Sequence, residues 1–202
     1  MFFSFDGVDG VGKSTQIRLF CEWLERQSHR FMQCRDPGGT PLGEAVRRIL
    51  LHGEDLPIAS RAEMLLYMAS RAQLVDEVIR PALAAEAIVV SDRYLLANVV
   101  YQGYAGGLPP ELVWRVGEIA TGGVAPDRVF VLDMPADLAA ERIGQSPDRM
   151  ESRGLDYLRS VRQGFLTEAE QQPDRISVID ASGTPEEVHA AICKVAHPML
   201  RG

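Results

Sequence analysis

The sequence is short of cysteine, of basic charge and of long apolar runs, and each shortage removes a class of function. Its three cysteines, Cys21, Cys34 and Cys193, are odd in number and show no CxxC or CxxH spacing. That pattern argues against a structural zinc site and fits reduced thiols in a cytosolic protein. Lys and Arg together number 21 against 28 Asp and Glu, a net charge of −7. No nucleic-acid partner is expected, because a globally basic surface is missing. A phosphate ligand stays open, since local arginines and backbone amides hold one inside an acidic protein. No apolar run reaches membrane-spanning length, and the opening MFFSFDG has neither a basic n-region nor a long apolar stretch before Asp6. A signal peptide and a membrane partner are therefore not expected, and the cytoplasm is the expected location. Internal repeats and low-complexity linkers are absent. The histidines His29, His52, His189 and His197 are scattered without the paired ligands that a metal or catalytic site requires.

What is there is an ordinary globular composition, 46% hydrophobic and 24% charged over 202 residues, a length that fits one domain. Short runs rich in Val, Ile, Phe or Leu occur at Phe2–Asp6, Arg30–Arg35, Ala87–Asp92, Arg128–Asp133 and Ile176–Asp180. Such runs read as strands buried on both faces. Four of them end in Asp and the other runs into Asp36, polar residues where open α/β sheets place their sites. Helical spacing follows the first strand through Ile17, Phe20, Cys21 and Leu24. A longer pattern over residues 58–85 runs through Leu65, Ala69, Ala72, Val75 and Ile79, which is read as its apolar stripe. Further helices are predicted at Pro109–Ala120, Ala136–Gly144, Gly154–Gln171 and Pro185–Ala196. Strands alternating with helices imply crossover units and a five-stranded parallel α/β sheet flanked by helices in three layers. The polar, glycine-flanked segment of about residues 142–154 is a candidate lid.

Residues 7–14, Gly7-Val8-Asp9-Gly10-Val11-Gly12-Lys13-Ser14, match GxxxxGK[ST] at every fixed position, with a strand before and an amphipathic helix after. The glycines let the backbone wrap phosphates with its N–H groups inward, and Thr15 extends the cradle. Lys13 reaches the β- and γ-phosphates and the Ser14 hydroxyl binds Mg²⁺, with ATP as co-substrate. A phosphate loop specifies a nucleotide and leaves the reaction open. An Asn-Lys-x-Asp guanine motif is missing, which argues against a GTPase.

Four further segments, in order and suitably spaced, resemble the thymidylate kinase family. Arg35-Asp36-Pro37-Gly38-Gly39-Thr40 is similar to the family's Arg-Glu/Asp-Pro-Gly-Gly-Thr loop, whose arginine binds the acceptor 5′-phosphate. In Glu63–Arg71, the residues Glu63, Tyr67 and Arg71 share one helical stripe. The resemblance assigns Tyr67 to stacking on thymine, where the family usually carries Phe, and Arg71 to a base carbonyl. Ser91-Asp92-Arg93-Tyr94 followed by Tyr101-Gln102-Gly103 resembles the family's Asp-Arg-Tyr/His and Tyr-Gln-Gly pair. There Asp92 sits near Mg²⁺, Arg93 contacts a phosphate, and Tyr101 crowds the sugar 2′ position, with Gln102 beside it. Ala97 stands where the family has serine, and the next residue, Asn98, offers a polar contact to the base. Ser146–Glu151 resembles the family's Asp-Arg-x-Glu lid. Gly10 in the phosphate loop implies the arrangement in which lid arginines assist ATP, with Arg142, Arg149 and Arg153 as candidates and Arg149 as the catalytic choice. Asp9 corresponds to the family's contact with the acceptor 3′-hydroxyl, which would account for a carboxylate among phosphate-binding amides.

The resemblance implies a kinase that transfers the γ-phosphate of ATP to dTMP, with Lys13, Arg93 and Arg149 as its catalytic cations, and a homodimer formed through the helices at 58–85 and 109–120. Two other readings compete: a kinase for another nucleoside monophosphate or deoxynucleoside, and a phosphate-loop ATP-dependent switch protein.

Overall fold

The computed structural model describes residues 1–52, 56–142 and 154–200. Five strands form one parallel sheet in the order β2-β3-β1-β4-β5: β1 (Phe2–Asp6), β2 (Phe31–Arg35), β3 (Ile88–Asp92), β4 (Arg128–Asp133) and β5 (Ile176–Asp180). All five expected strands are present, with two of them starting one residue late. β1 is buried along its whole length, because helices cover both sides of a parallel sheet. Phe3 and Phe5 point to one face and meet Phe20 of α1 (Lys13–Arg26) edge-on, with ring centroids 5.3 and 5.4 Å apart. Phe2 points to the other face and meets Tyr94 at 5.0 Å.

The strand order fixes where a ligand sits. The connection after β1 leads outward to β2, and the connection after β3 leads across β1 to β4. The chain thus departs in opposite directions from two neighbouring strands, and a crevice opens beyond their carboxyl ends. Phe5 is in register with Asp92, so the phosphate loop after β1 and Arg93 after β3 face one another across that crevice.

The predicted helices appear as α1, α3 (Ser60–Leu74), α4 (Arg80–Ala84), α6 (Pro110–Thr121), α7 (Ala136–Glu141), α8 (Leu155–Gln171) and α9 (Pro185–Met199). A π-helical turn, Val75–Ile79, joins α3 to α4. Pro81 in the first turn of α4 offers no N–H and crowds the preceding turn, and the wider π turn absorbs it. At the start of α9 a capping box forms, in which Thr184 and Glu187 exchange side chain–backbone hydrogen bonds of 3.3 and 2.8 Å.

Two helical segments were not expected. α2 (Pro41–His52) starts where Thr40 Oγ1 accepts from Gly43 N at 2.9 Å. α5 (Leu95–Asn98) continues into a second π turn, Val99–Tyr104. The apolar stripe predicted for α3 is also corrected. Leu65 and Ala69 are exposed, whereas Glu63, Met64, Met68, Ser70, Arg71 and Leu74 are buried. The polar stripe Glu63–Arg71 turns inward because it meets charged and amide partners there. Part of the apolar stripe turns outward. Among the described residues no helix is long and apolar enough to cross a membrane.

Candidate active site

A cavity of about 610 Å³ occupies the crevice. Its first wall is the phosphate loop. Gly10 lies at φ +86°, and a Cβ there would stand 2.1 Å from the Ala139 carbonyl oxygen of α7, so only glycine fits. Asp9, Gly10, Gly12, Lys13, Ser14 and Thr15 line the cavity. Gly7, Val8 and Val11 do not; the two valine side chains are core residues, which leaves their backbone as their only route to a phosphate.

Lys13 is buried and donates from Nζ to Gly7 O at 3.2 Å, Val8 O at 2.8 Å and Asp9 Oδ1 at 3.3 Å. Arg93 has a left-handed backbone, φ 64°, which aims its side chain back at the loop. It donates to Gly7 O at 3.0 Å, Asp9 Oδ1 at 2.5 Å and Tyr101 Oη at 3.1 Å. Its guanidinium also lies 4.9 Å from the Tyr101 ring centroid. Tyr101 in turn donates to Asp9 Oδ2 at 3.1 Å. Asp9 is therefore held by two cations and a phenol. A sugar hydroxyl is not needed to account for this carboxylate, because its protein partners already offset its charge. The ion pair of Arg93 is with Asp9.

The electrostatics follow from this packing. Burial alone would raise the Asp9 carboxyl, but Arg93 and Lys13 beside it hold it well below the ordinary carboxylate range. Burial, with Arg93 adding to it, lowers the Lys13 ammonium against the pull of Asp9. Burial acts to lower Arg93 as well, but Asp9 and the other anionic neighbours raise it well above its ordinary value. Asp6, at the end of β1 beneath the loop, is pushed up to about 6 by burial, against the Ser4 hydrogen bond and the attraction of Arg93 and Lys13.

The second wall is a buried polar chain. Arg71 of α3 is 2% exposed. It donates from Nε to Asp36 Oδ2 at 2.5 Å, from Nη1 to Asn98 Oδ1 at 2.9 Å and Met68 Sδ at 3.1 Å, and from Nη2 to Tyr94 O at 3.4 Å. Asn98 donates to Gln102 Oε1 at 2.5 Å, and Gln102 donates to Glu63 Oε1 at 2.9 Å. Tyr67, half-buried, stands in the same wall with Ala97. The π turn after Asn98 widens the helix where these side chains project, a common feature of functional sites.

At the rim, Arg35 donates from Nη2 to both oxygens of Glu44 at 3.0 and 2.9 Å, and Gly39 N donates to Oε1 at 2.9 Å. Gly39 and Arg35 hold the Glu44 carboxyl below its usual range. Arg47, also a lining residue, donates to Pro37 O at 3.0 Å. Asp92 lines the cavity, and its Oδ1 is buried without a partner among the described residues. Arg142 is exposed and lines the far end. Arg149, Arg153 and the core of the lid segment lie outside the described residues.

Sequence reasoning missed Asp36 as the counter-ion of Arg71, Glu44 as the partner of Arg35, and Arg47. Asp36 and Arg71 lie 35 residues apart, so nothing local joins them. Glu44 and Arg47 belong to the unexpected α2, whose Thr-Pro start was the available signal.

Comparison with known proteins places the chain in one family. The family model described as Thymidylate kinase matches residues 5–192. The chain is 47% identical over 190 residues to the thymidylate kinase of Rhodopirellula baltica, covering 94% of this chain and 77% of that protein. It is 46% identical over 196 residues to the thymidylate kinase of Kosmotoga olearia, covering 96% and 94%. To that of Symbiobacterium thermophilum it is 43% identical over 201 residues, covering 99% and 94%.

Proposed function

The chain belongs to the thymidylate kinase family, and from that premise we propose how its cavity divides the work of the reaction. The enzyme transfers the γ-phosphate of ATP to dTMP, giving dTDP, a step of nucleotide biosynthesis. The observation that carries the assignment of roles is the convergence of Lys13, Arg93, Arg35, Tyr67 and Arg71 on one crevice beside the phosphate loop.

The acceptor phosphate already bears negative charge, so the protein needs no strong base. Positioning and charge neutralisation carry the catalysis. Lys13 and Arg93 balance charge on the transferring group. Both cations meet Asp9 and loop carbonyls. Asp9 keeps the two cations together and meets the acceptor sugar. The loop amides of residues 7–15 cradle the ATP phosphates, and the family resemblance assigns the lid arginines Arg142, Arg149 and Arg153 to ATP, with Arg149 as the catalytic one. Arg35 holds the acceptor phosphate, and Glu44 orients its guanidinium. Tyr67 stacks on thymine and Tyr101 closes on the sugar. The protein takes four of the five Arg71 N–H donors, which leaves one for a base carbonyl. Asn98 and Gln102 complete the base contact.

Mg²⁺ suits the donor set, because the unpartnered Asp92 Oδ1 and the exposed Ser14 hydroxyl are hard oxygen ligands. The ion would neutralise charge on the β- and γ-phosphates. We also read the chain as one phosphate-loop kinase domain with a lid at about 142–154, working in the cytoplasm. Three free cysteines and substrates drawn from the nucleotide pool support that location. A homodimer is supported by α3 and α6, which pack together and carry the exposed Leu65, Leu112 and Ile119.

The test is a coupled ADP assay of Arg71→Met and Tyr67→Ala against dTMP. Both variants should raise KM for dTMP at least about tenfold, equal to roughly 1.4 kcal/mol, with KM for ATP unchanged. An unchanged KM for dTMP would discard this base pocket.

A further inference from the structure

A second cavity, of about 590 Å³, lies behind the segment that carries Arg93. Asp92, Arg93, Ala97 and Asn98 line the active-site cavity, and the intervening Tyr94, Leu95 and Leu96 line the second. Trp114 of α6, Val124, Val129 of β4 and Ile176 of β5 supply most of the remaining apolar wall. Glu168 of α8 also lines it and is 2% exposed. Its Oε1 accepts from Tyr104 Oη at 3.1 Å, and its Oε2 accepts from Trp114 Nε1 at 3.2 Å and Gln172 Nε2 at 2.9 Å. All three donors are neutral. Among the described residues no ion pair involves Glu168. A carboxylate offers about four acceptor positions, so Oε1 retains one.

We propose that this cavity is a second ligand site and that it takes a compact organic cation, an ammonium or amidinium group carried on a hydrocarbon ring. A buried carboxylate solvated only by neutral donors keeps its charge uncompensated, and a cation at Oε1 relieves that cost. The ligand needs an apolar body because the walls are largely apolar. A bare metal ion would find only one carboxylate there in place of its hydration shell. The Trp114 and Tyr94 rings give a cation further favourable surfaces. The volume is that of an ordinary small-molecule site. Glu168 and the exposed Glu118, against the single guanidinium of Arg175 in the lining, repel a phosphate. Both substrates of the kinase are anions, so the site is distinct from theirs in ligand chemistry as well as in position.

Phenethylamine serves as the probe, with 2-phenylethanol and 3-phenylpropionate as neutral and anionic analogues. Of the two tryptophans in the chain, Trp114 alone lines this cavity, so fluorescence of the full-length Trp23→Phe protein reports on it. Phenethylamine should give a saturable change with an affinity at least tenfold above that of either analogue. Glu168→Gln should lower that affinity at least tenfold. Ala125→Phe fills the cavity from an exposed position in the lining without adding a tryptophan. It should abolish the fluorescence change while leaving dTMP phosphorylation intact, which separates loss of the site from loss of the fold. Absence of saturable binding to the parent protein, equal binding of 2-phenylethanol, or binding that survives Ala125→Phe would each overturn the proposal.

Discussion

Single residues in the crevice are charged groups held against burial, and their substitutions separate catalysis from stability. Lys13→Ala and Arg93→Ala each remove a cation from the transferring phosphate. A loss of roughly 10³-fold or more in kcat is expected, with circular dichroism and Tm showing a folded protein. Normal turnover in either folded variant would contradict the role. Arg71 behaves differently, because its removal strands Asp36 in the core. Arg71→Met should cost about 3–5 kcal/mol in urea unfolding, and the double variant with Asp36→Leu should recover much of it. Additive losses in the double variant would deny the pairing. Asp6 gives a pH signature. Its folded carboxyl lies at about 6 against an ordinary 3.8, so the folded state binds the extra proton between those values. The stability this supplies is complete below 3.8 and is lost as pH rises through 6. Asp6→Asn should therefore gain on the parent by about 2.4 kcal/mol between pH 4 and pH 8, and a pH-independent difference would show that burial does not govern this group.

At the level of elements, the strands and the phosphate loop were legible because each is written locally. A both-faces-buried strand is a short apolar run, and the loop is a fixed spacing of glycines before Lys13 and Ser14. The same logic predicts that Gly10→Ala lowers Tm and weakens ATP binding together. Its Cβ would press on the Ala139 carbonyl of α7, which must move and take the loop with it. A variant with unchanged Tm and ATP affinity would refute that packing. Elements set by tertiary contacts were harder to read. Leu95–Tyr104 is rich in Val and Tyr and has the composition of a strand, yet it is helical. There Leu95 packs on Gly117 of α6, and Asn98 and Gln102 join the buried chain to Glu63. On α3, apolar count favoured the stripe through Leu65 and Ala69. Burial instead went to the face where Arg71 finds Asp36, a partner no periodicity discloses. The family resemblance named most of the residues that line the crevice, but not Glu44 and Asp36, the partners of Arg35 and Arg71, because each pairing spans separate elements.

For the whole molecule, the strand order β2-β3-β1-β4-β5 opens one crevice, and that crevice gathers loop amides, cations and a base wall at a distance set by the register of β1 and β3. Most of the active site thus follows from sheet topology, and the side chains decide which acceptor enters. On the proposed assignment, the wall of Tyr67, Arg71, Asn98 and Gln102 would suit an amide-edged base, and Tyr101 would narrow the sugar site. The oligomeric state belongs to this scale too. Light scattering should give twice the 22.3 kDa chain mass, and Leu65→Glu with Ile119→Glu should halve it; a monomeric parent would remove the dimer from the account. The decisive measurement is ADP release with ATP and Mg²⁺ against dTMP, dUMP, UMP, CMP, AMP, GMP and thymidine. Release should be fast with dTMP, weak with dUMP and slight with the others. Equal or greater release with a ribonucleotide or a purine, or no stimulation by any acceptor, would contradict thymidylate kinase activity.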